Sequence, residues 1–348
     1  MRAPIEEQQT SSADELARRI ASADFTGCTA TVVGIGTMGK HFVAALRALG
    51  VPRIRIVSRS PKPLESFSRI PGIETVSCGV ERLMCQPEPR ELGIIATPTA
   101  LLGSAAERLA ALGFHRLLVE KPVSLWTEDL ERLAERFERD GLEAYCAYNR
   151  IAYPSLLEVR ARAAQEGGIT SCAYTFTEMI KPDWPQRFPA EELARWGIAN
   201  SLHVMSMAHG LIGWPSTWTG HRSGSLPWHP AGAVFVGSGV SERGVPFSYH
   251  ADWGSTGRWS VEVHTPVSSY RLCPLEKVFR RTAATADWVE LPVAAFAVEL
   301  KTGIAEEVAA VLNEDVRASV PLISLRAAAA LTRYGEAVFG YPNNPRRS

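Results

Sequence analysis

With 348 residues, the chain has room for two domains, each with its own core. Lys+Arg and Asp+Glu both number 37, so the formal net charge is zero and nothing suggests the electrostatic footprint of a nucleic-acid binder. No apolar stretch approaches the roughly 20 residues needed to span a bilayer, so no membrane partner is expected.

Met1 to Thr10 is polar, with two glutamates, and is unlike a signal peptide. Ser12-Ala13-Asp14-Glu15 has capping-box spacing and predicts a short helix through Arg19 and Ile20, within a leader of residues 1–27. The six cysteines (Cys28, Cys78, Cys85, Cys146, Cys172, Cys273) include no C-x-x-C pair. They argue against a metal site and for reduced thiols in a cytoplasmic protein.

Over residues 28–149, short apolar runs alternate with amphipathic stretches. The runs 29–33, 53–57, 92–96, 116–119 and 142–147 predict strands buried on both faces. Helical patterns over 41–49, 105–112 and 125–139 are followed by Gly50, Gly113 and Gly141, the residue type that stops helices. Repeated βα units of this length predict a doubly wound parallel sheet of the Rossmann type.

Residues 150–298 have a different texture. Helical patterns over 153–165 and 201–211 precede aromatic- and threonine-rich extended segments at 217–222, 233–241, 246–253, 258–264 and 268–272. They predict an α+β domain with one open, mostly antiparallel sheet and helices on one face. Its other face, costly to leave wet, predicts a homodimer or a dimer of dimers through the sheet. The tail, 299–348, returns to helical periodicity over 300–312 and 323–338 and is expected to pack back on both domains.

Gly34-Ile35-Gly36-Thr37-Met38-Gly39 follows the first strand and opens a helix. Gly34 permits a tight turn, Gly36 lets backbone approach a pyrophosphate, and Gly39 lets helix pack on strand; the helix amino terminus favours the anion. About 20 residues further on, an NAD site usually carries an acid. Here stand Ser58-Arg59-Ser60 and Lys62, whose guanidinium and hydroxyls suit a 2′-phosphate. NADP is therefore expected ahead of NAD, the alternative being that Arg59 is a solvated surface residue. Thr97-Pro98 ends the third of these runs, 92–96, as a cleft-lining segment or a simple turn. Glu120-Lys121-Pro122 closes a buried run and puts an amine at the sheet's carboxyl edge. There Lys121 can share in proton transfer, unless it serves only as Glu120's ion-pair partner.

Gly34-x-Gly36-x-x-Gly39, Ala96-Thr97-Pro98, Glu120-Lys121-Pro122 and Tyr148-Asn149-Arg150 stand in the order and spacing of the Gfo/Idh/MocA oxidoreductases. The chain resembles that glucose–fructose oxidoreductase and inositol dehydrogenase family over nearly its whole length. The resemblance implies NAD(P)-dependent hydride transfer at a carbinol or carbonyl carbon of a sugar or polyol, with Lys121 between nicotinamide and substrate. It also implies an aspartate four residues before a histidine on a helix facing the cleft. His203 fits the histidine, but Ala199 occupies the aspartate's position, with Asn200 and Ser201 the nearest polar groups.

The expected catalytic set is therefore Lys121, His203 as general acid/base, and Asn200, the alternative for His203 being a satisfied core histidine on the helix 201–211. Tyr148, Arg150, Tyr153, Trp196 and Asn200 are expected to meet substrate, the alternative for Tyr148, Arg150 and Tyr153 being packing at the domain junction. Lys181, Trp184, Arg187 and Arg195 suit either an anionic or nucleotide-linked sugar or a surface loop; His209 is expected to be structural. The missing aspartate keeps three other readings open: an imine or enone reductase, a glycoside hydrolase that uses bound nicotinamide transiently, and a cofactor-binding sensor without turnover.

Overall fold

The computed structural model describes residues 12–285, 287–342 and 344; the polar start, Met1 to Thr10, lies outside them. The alternating runs of the first half become six parallel strands: β1 (Thr29–Val33), β2 (Arg53–Ser58), β3 (Ile73–Ser77), β4 (Leu92–Ile95), β5 (Arg116–Glu120) and β6 (Glu143–Ala147), in the order β6-β5-β4-β1-β2-β3. Every residue of β1, β4 and β5 is buried, because helices cover both faces of the sheet. Helices Thr37–Ala48, Leu102–Ala111 and Thr127–Arg139 run out at Gly50, Gly113 and Gly141, whose φ of 78°, 96° and 71° only glycine adopts without cost. The sequence pattern did not predict β3, a half-buried edge strand of mixed Ile73-Glu74-Thr75-Val76-Ser77 character.

The second sheet contains β7 (Ser171–Phe176), β8 (Pro215–Ser223), β9 (Val234–Ser241), β10 (Pro246–Asp252), β11 (Trp259–His264), β12 (Ser268–Leu272), β13 (Val278–Thr282) and β14 (Val289–Leu291). Their order is β14-β13-β12-β11-β7-β10-β9-β8, and only the β7–β10 pair is parallel. Helices Pro154–Gln165, Leu202–Ile212 and Leu325–Phe339 pack on one face, burying Cys172, Tyr174, Phe176, Phe247 and Tyr249. Ala173, Val236, Ser238, Val240, Ser248 and His250 lie exposed on the other. A Rossmann-type parallel sheet joined to an open, mostly antiparallel sheet is the expected fold class, and the chain adopts it. β7, β13 and β14 are additions to the five expected strands; β7, unexpected from sequence, is central to the sheet.

The tail touches both sheets. Helix Ile304–Leu312 packs on helix Thr37–Ala48, so Ile304, Val308, Val311 and Val316 share a core with Val32, Phe42 and Ile56. A short strand, β15 (Ile323–Ser324), extends the first sheet antiparallel to β6. Helix Leu325–Phe339 then lies between helix Thr127–Arg139 and the second sheet. Among the described residues, no helix is long and apolar enough to cross a membrane.

Candidate active site

The three glycines of the loop after β1 divide cleanly by what surrounds them. Gly34 has φ 91°, and a Cβ there would lie 2.5 Å from the Ala96 carbonyl oxygen. A Cβ on Gly39 would lie 1.9 Å from the carbonyl oxygen of Gly34. Both positions are closed by the protein's own backbone. A Cβ on Gly36 would meet nothing within 4 Å. That open space faces the amino terminus of helix Thr37–Ala48, whose first turn carries no acid to oppose an anion.

From this loop runs a cleft of about 840 Å³. Gly34, Ile35, Gly36, Thr37 and Met38 line one side, Ser58, Arg59 and Ser60 enter from the end of β2, Thr97 and Pro98 from the end of β4, and Glu120 and Lys121 from the end of β5. Gly39 alone of the expected cofactor residues stands behind the wall, in its packing role. No carboxylate projects from the end of β2, although Glu81, from the turn Val80–Arg82, also lines the cleft. That acid was not foreseen, because it lies on a loop that no strand pattern places beside β2.

At the inner end of the cleft stand Trp196, Ala199 and Asn200. Lys121 Nζ donates a hydrogen bond to the Ala199 carbonyl, tying the β5 edge to the segment before the His203 helix. Burial lowers the Lys121 pKa to about 8, opposed by Glu120 and assisted by Arg150 and Lys301. Burial likewise raises Glu120, 8% exposed, to about 7, with Lys121 and Lys301 pulling it back. Lys301 reaches this cluster from the tail; its ammonium lies 3.0 Å from Met38 Sδ, and burial depresses its pKa too.

A second cavity, of about 390 Å³, adjoins the first and is lined by Arg150, Thr177, Glu178, Asn200, Trp259 and Glu276 among others. Asn200 belongs to both walls. The Arg150 guanidinium stacks 4.9 Å from the Trp259 ring centroid and 6.0 Å from that of Tyr153. It makes no ion pair among the described residues. Tyr153, largely buried, directs its hydroxyl to Glu276 at 3.4 Å. Tyr148 is fully buried, and its hydroxyl lacks a partner.

His203 sits on helix Leu202–Ile212 and is only 6% exposed. Its ring is edge-on to Tyr148 at 5.9 Å and 6.4 Å from Trp259. It is not among the side chains lining either cavity. Burial first, and then Arg150, Lys121 and Lys301, hold its pKa well below the ordinary histidine value, so the imidazole is neutral. His209 bonds the Gly213 carbonyl at 3.0 Å and lies against Tyr174, a packing role. Trp196 is wedged between Trp184 and Phe188, at 4.5 and 4.9 Å. Arg195 is committed internally: it pairs with Glu336, bonds the carbonyls of Leu125 and Pro342, and stacks on Trp126. Lys181 and Arg187 are exposed, the latter 3.4 Å from Asp183.

A buried carboxylate from outside the His203 helix meets Asn200 and Ser201 just before it. Glu178, two residues past β7 and 4% exposed, accepts from Asn200 Nδ2 at 3.0 and 3.1 Å and from Ser201 Oγ at 3.0 Å. Burial raises its pKa to about 7, against the pull of Ser201, Asn200, Lys121 and Arg150. Residues Gly197–Ser201 form a π-turn, so α-helical spacing does not describe the stretch before His203. Sequence reasoning missed Glu178; its one signal was an acid directly after the extended run Tyr174-Thr175-Phe176-Thr177.

Thr97 Oγ1, Arg150 Nε and Trp196 Nε1, on residues that line the two cavities, are buried without hydrogen-bond partners, as are Tyr148 Oη and His203 Nδ1 behind them. Unpaired buried polar atoms are costly, and their concentration around one cleft fits a site completed by ligand. The open space at Gly36, the acid-free helix start and the unpaired Thr97 hydroxyl fit a dinucleotide. Among the described residues, no group of His, Cys, Asp and Glu could hold a metal ion.

Residues 28–148 match the Gfo/Idh/MocA oxidoreductase family, described as an oxidoreductase family with an NAD-binding Rossmann fold. No curated relative matches the chain. Among solved structures, levoglucosan dehydrogenase in complex with NADH aligns with a TM-score of 0.70 at 18% identity, covering 90% of this chain and 96% of that one. UDP-N-acetylglucosamine 3-dehydrogenase from Acidithiobacillus ferrooxidans aligns with a TM-score of 0.68 at 15% identity, over 90% and 96%. An oxidoreductase from Agrobacterium radiobacter in complex with NAD+, L-tartaric acid and magnesium gives 0.69 at 14%, over 90% and 95%. These likenesses, at low identity, are likenesses of fold.

Proposed function

We propose, from the premise that the domain of residues 28–148 belongs to the Gfo/Idh/MocA oxidoreductase family, that the chain transfers a hydride between a nicotinamide cofactor and a carbinol or carbonyl carbon of a sugar, polyol or nucleotide-linked sugar. The observation that carries this reading is one continuous cleft joining the glycine loop to Lys121 and ending at a second, polar and aromatic cavity. The sugar and nucleotide-sugar dehydrogenases of the same fold support the substrate class.

Gly36 and the amino terminus of helix Thr37–Ala48 would hold the pyrophosphate, Thr97 and Pro98 the nicotinamide ribose, and Ser58, Arg59 and Ser60 a 2′-phosphate. NADP is preferred on this reading, because the guanidinium and hydroxyls at the β2 end face the cleft and β2 itself ends in no acid, Glu81 entering only from the neighbouring turn. The cofactor supplies the hydride acceptor or donor. Lys121 Nζ holds the substrate oxygen and carries its proton, while the neutral His203 behind the wall keeps a free ring nitrogen for proton exchange. Arg150, Trp259, Tyr153, Tyr148 and Trp196 shape the substrate side.

The test is direct. Dissociation constants for NADP and NAD should differ by roughly tenfold or more in favour of NADP, the scale of one charge-assisted contact. Reduced-nicotinamide absorbance should change with at least one member of a panel of sugars, polyols and nucleotide-sugars. NAD preference would remove the phosphate assignment alone. Cofactor binding without turnover across the panel would overturn the enzymatic reading.

A further inference from the structure

Asn200 stands where the cofactor cleft and the second cavity meet, and its amide is not free to turn. Nδ2 lies 3.0 and 3.1 Å from the two oxygens of Glu178, and one of those oxygens also accepts from Ser201 Oγ at 3.0 Å. A carboxylate oxygen taking two donors is acting purely as an acceptor. With Glu178 ionised, both of its oxygens accept, so the Asn200 NH₂ faces Glu178 and Oδ1 faces away from it. Oδ1 receives no hydrogen bond from any described residue. The π-turn Gly197–Ser201 and the bond from Lys121 to the Ala199 carbonyl fix the backbone on either side of this amide.

We propose that Glu178 is a positioning residue that locks Asn200 Oδ1 as the hydrogen-bond acceptor at the junction of the two cavities, making Asn200 a selector for an N–H or O–H donor there. The donor is either the carboxamide NH₂ of the bound nicotinamide or a hydroxyl beside the reacting carbon of the substrate. The inference rests on the oxidoreductase reading above. It gives the Glu178 carboxylate a role distinct from that of an acid adjoining a histidine: it sets the polarity of one amide. Lys121 on one side donates and Asn200 on the other accepts, so the junction discriminates a hydroxyl-bearing carbon from an ether or deoxy carbon.

The test uses the full chain and two probes. The first is the NADP analogue carrying an acetyl group in place of the carboxamide, which lacks the NH₂ donor. The second is the best-turned-over sugar or polyol of the panel, assayed at saturating NADP. Wild type, Glu178→Gln, Glu178→Asp and Asn200→Ser are compared, with thermal melts to confirm folding.

If the carboxamide is the donor, wild type should bind NADP about tenfold more tightly than the acetyl analogue, the scale of one hydrogen bond. Glu178→Gln, whose amide can present either end to Asn200, should erase that ratio. If the substrate hydroxyl is the donor, the analogue ratio should be near one. In that case Glu178→Gln and Asn200→Ser should raise KM about tenfold with little change in kcat. In either case Glu178→Asp, which keeps an acceptor-only group, should recover part of the effect. Folded Glu178→Gln and Asn200→Ser with unchanged analogue ratio and unchanged KM would overturn the proposal while leaving the oxidoreductase reading intact. Failure of the wild type to bind cofactor or turn over the panel would instead defeat that reading, and this assignment with it.

Discussion

A single amine carries the sharpest chemical consequence. Burial in the cleft costs the Lys121 ammonium more than Glu120 returns, which brings its pKa to about 8. Below that pH the amine is protonated and can give a proton to a carbonyl; above it, the neutral amine can take one from an alcohol. For oxidation, kcat/KM should therefore rise as pH passes through about 8, and for reduction it should fall. Lys121→Arg, which stays charged, should remove this limb. Lys121→Ala should cut turnover roughly 10²–10⁴-fold, and unchanged turnover would end the assignment. At the other end of the cleft, Arg59→Glu should weaken NADP by roughly tenfold or more and spare NAD, as a like charge meets the phosphate; equal losses for both cofactors would show that Arg59 does not read it. Lys121 and Arg59 were legible in the sequence because each sits at the carboxyl end of an apolar run. Glu178 was not, because its partners Asn200 and Ser201 lie more than twenty positions along the chain and no local pattern links them.

The turn between β1 and helix Thr37–Ala48 separates folding from binding within four residues. A methyl at Gly39 would press into the Gly34 carbonyl, a backbone atom that cannot swing aside, whereas a methyl at Gly36 meets open space. Gly39→Ala should lower the melting temperature and lose cofactor together. Gly36→Ala should melt as wild type and still bind cofactor more weakly; the pair can be checked by calorimetry with and without NADP. Equal melting temperatures for the two variants would contradict the packing argument. β1, β4 and β5 were readable because burial on both faces makes their sequences largely apolar, while β2 and β6 showed through their apolar carboxyl halves despite partial exposure. β3 and β7 were not. Ile73-Glu74-Thr75-Val76-Ser77 is a half-buried edge, and β7 alternates Cys172, Tyr174 and Phe176 inward with Ala173 and Thr175 outward, too short a pattern to stand out beside a helix. Missing β7 also hid Glu178, which that strand delivers.

Across the whole molecule, the second sheet covers one face with helices and leaves the other open along β9, β10 and β7, with Val236, Val240, Ala173, Ser248 and His250 presented outward. We propose that this face pairs with a second copy, because apart from His250 its outward side chains are small and allow close sheet-to-sheet approach. Light scattering coupled to size exclusion at micromolar concentration should give twice the chain's 38.0 kDa; a monomer mass would refute it. The tail has a different consequence, one of timing. Ile304, Val308, Val311 and Val316 fill the same core as Val32 and Phe42, and Lys301 joins the cluster around Lys121 and Glu120. During synthesis, then, the nucleotide-binding domain emerges before residues 304–316 and cannot close its core until they too have left the ribosome. A nascent chain stopped before residue 300 would carry a complete glycine loop and still lack a finished site.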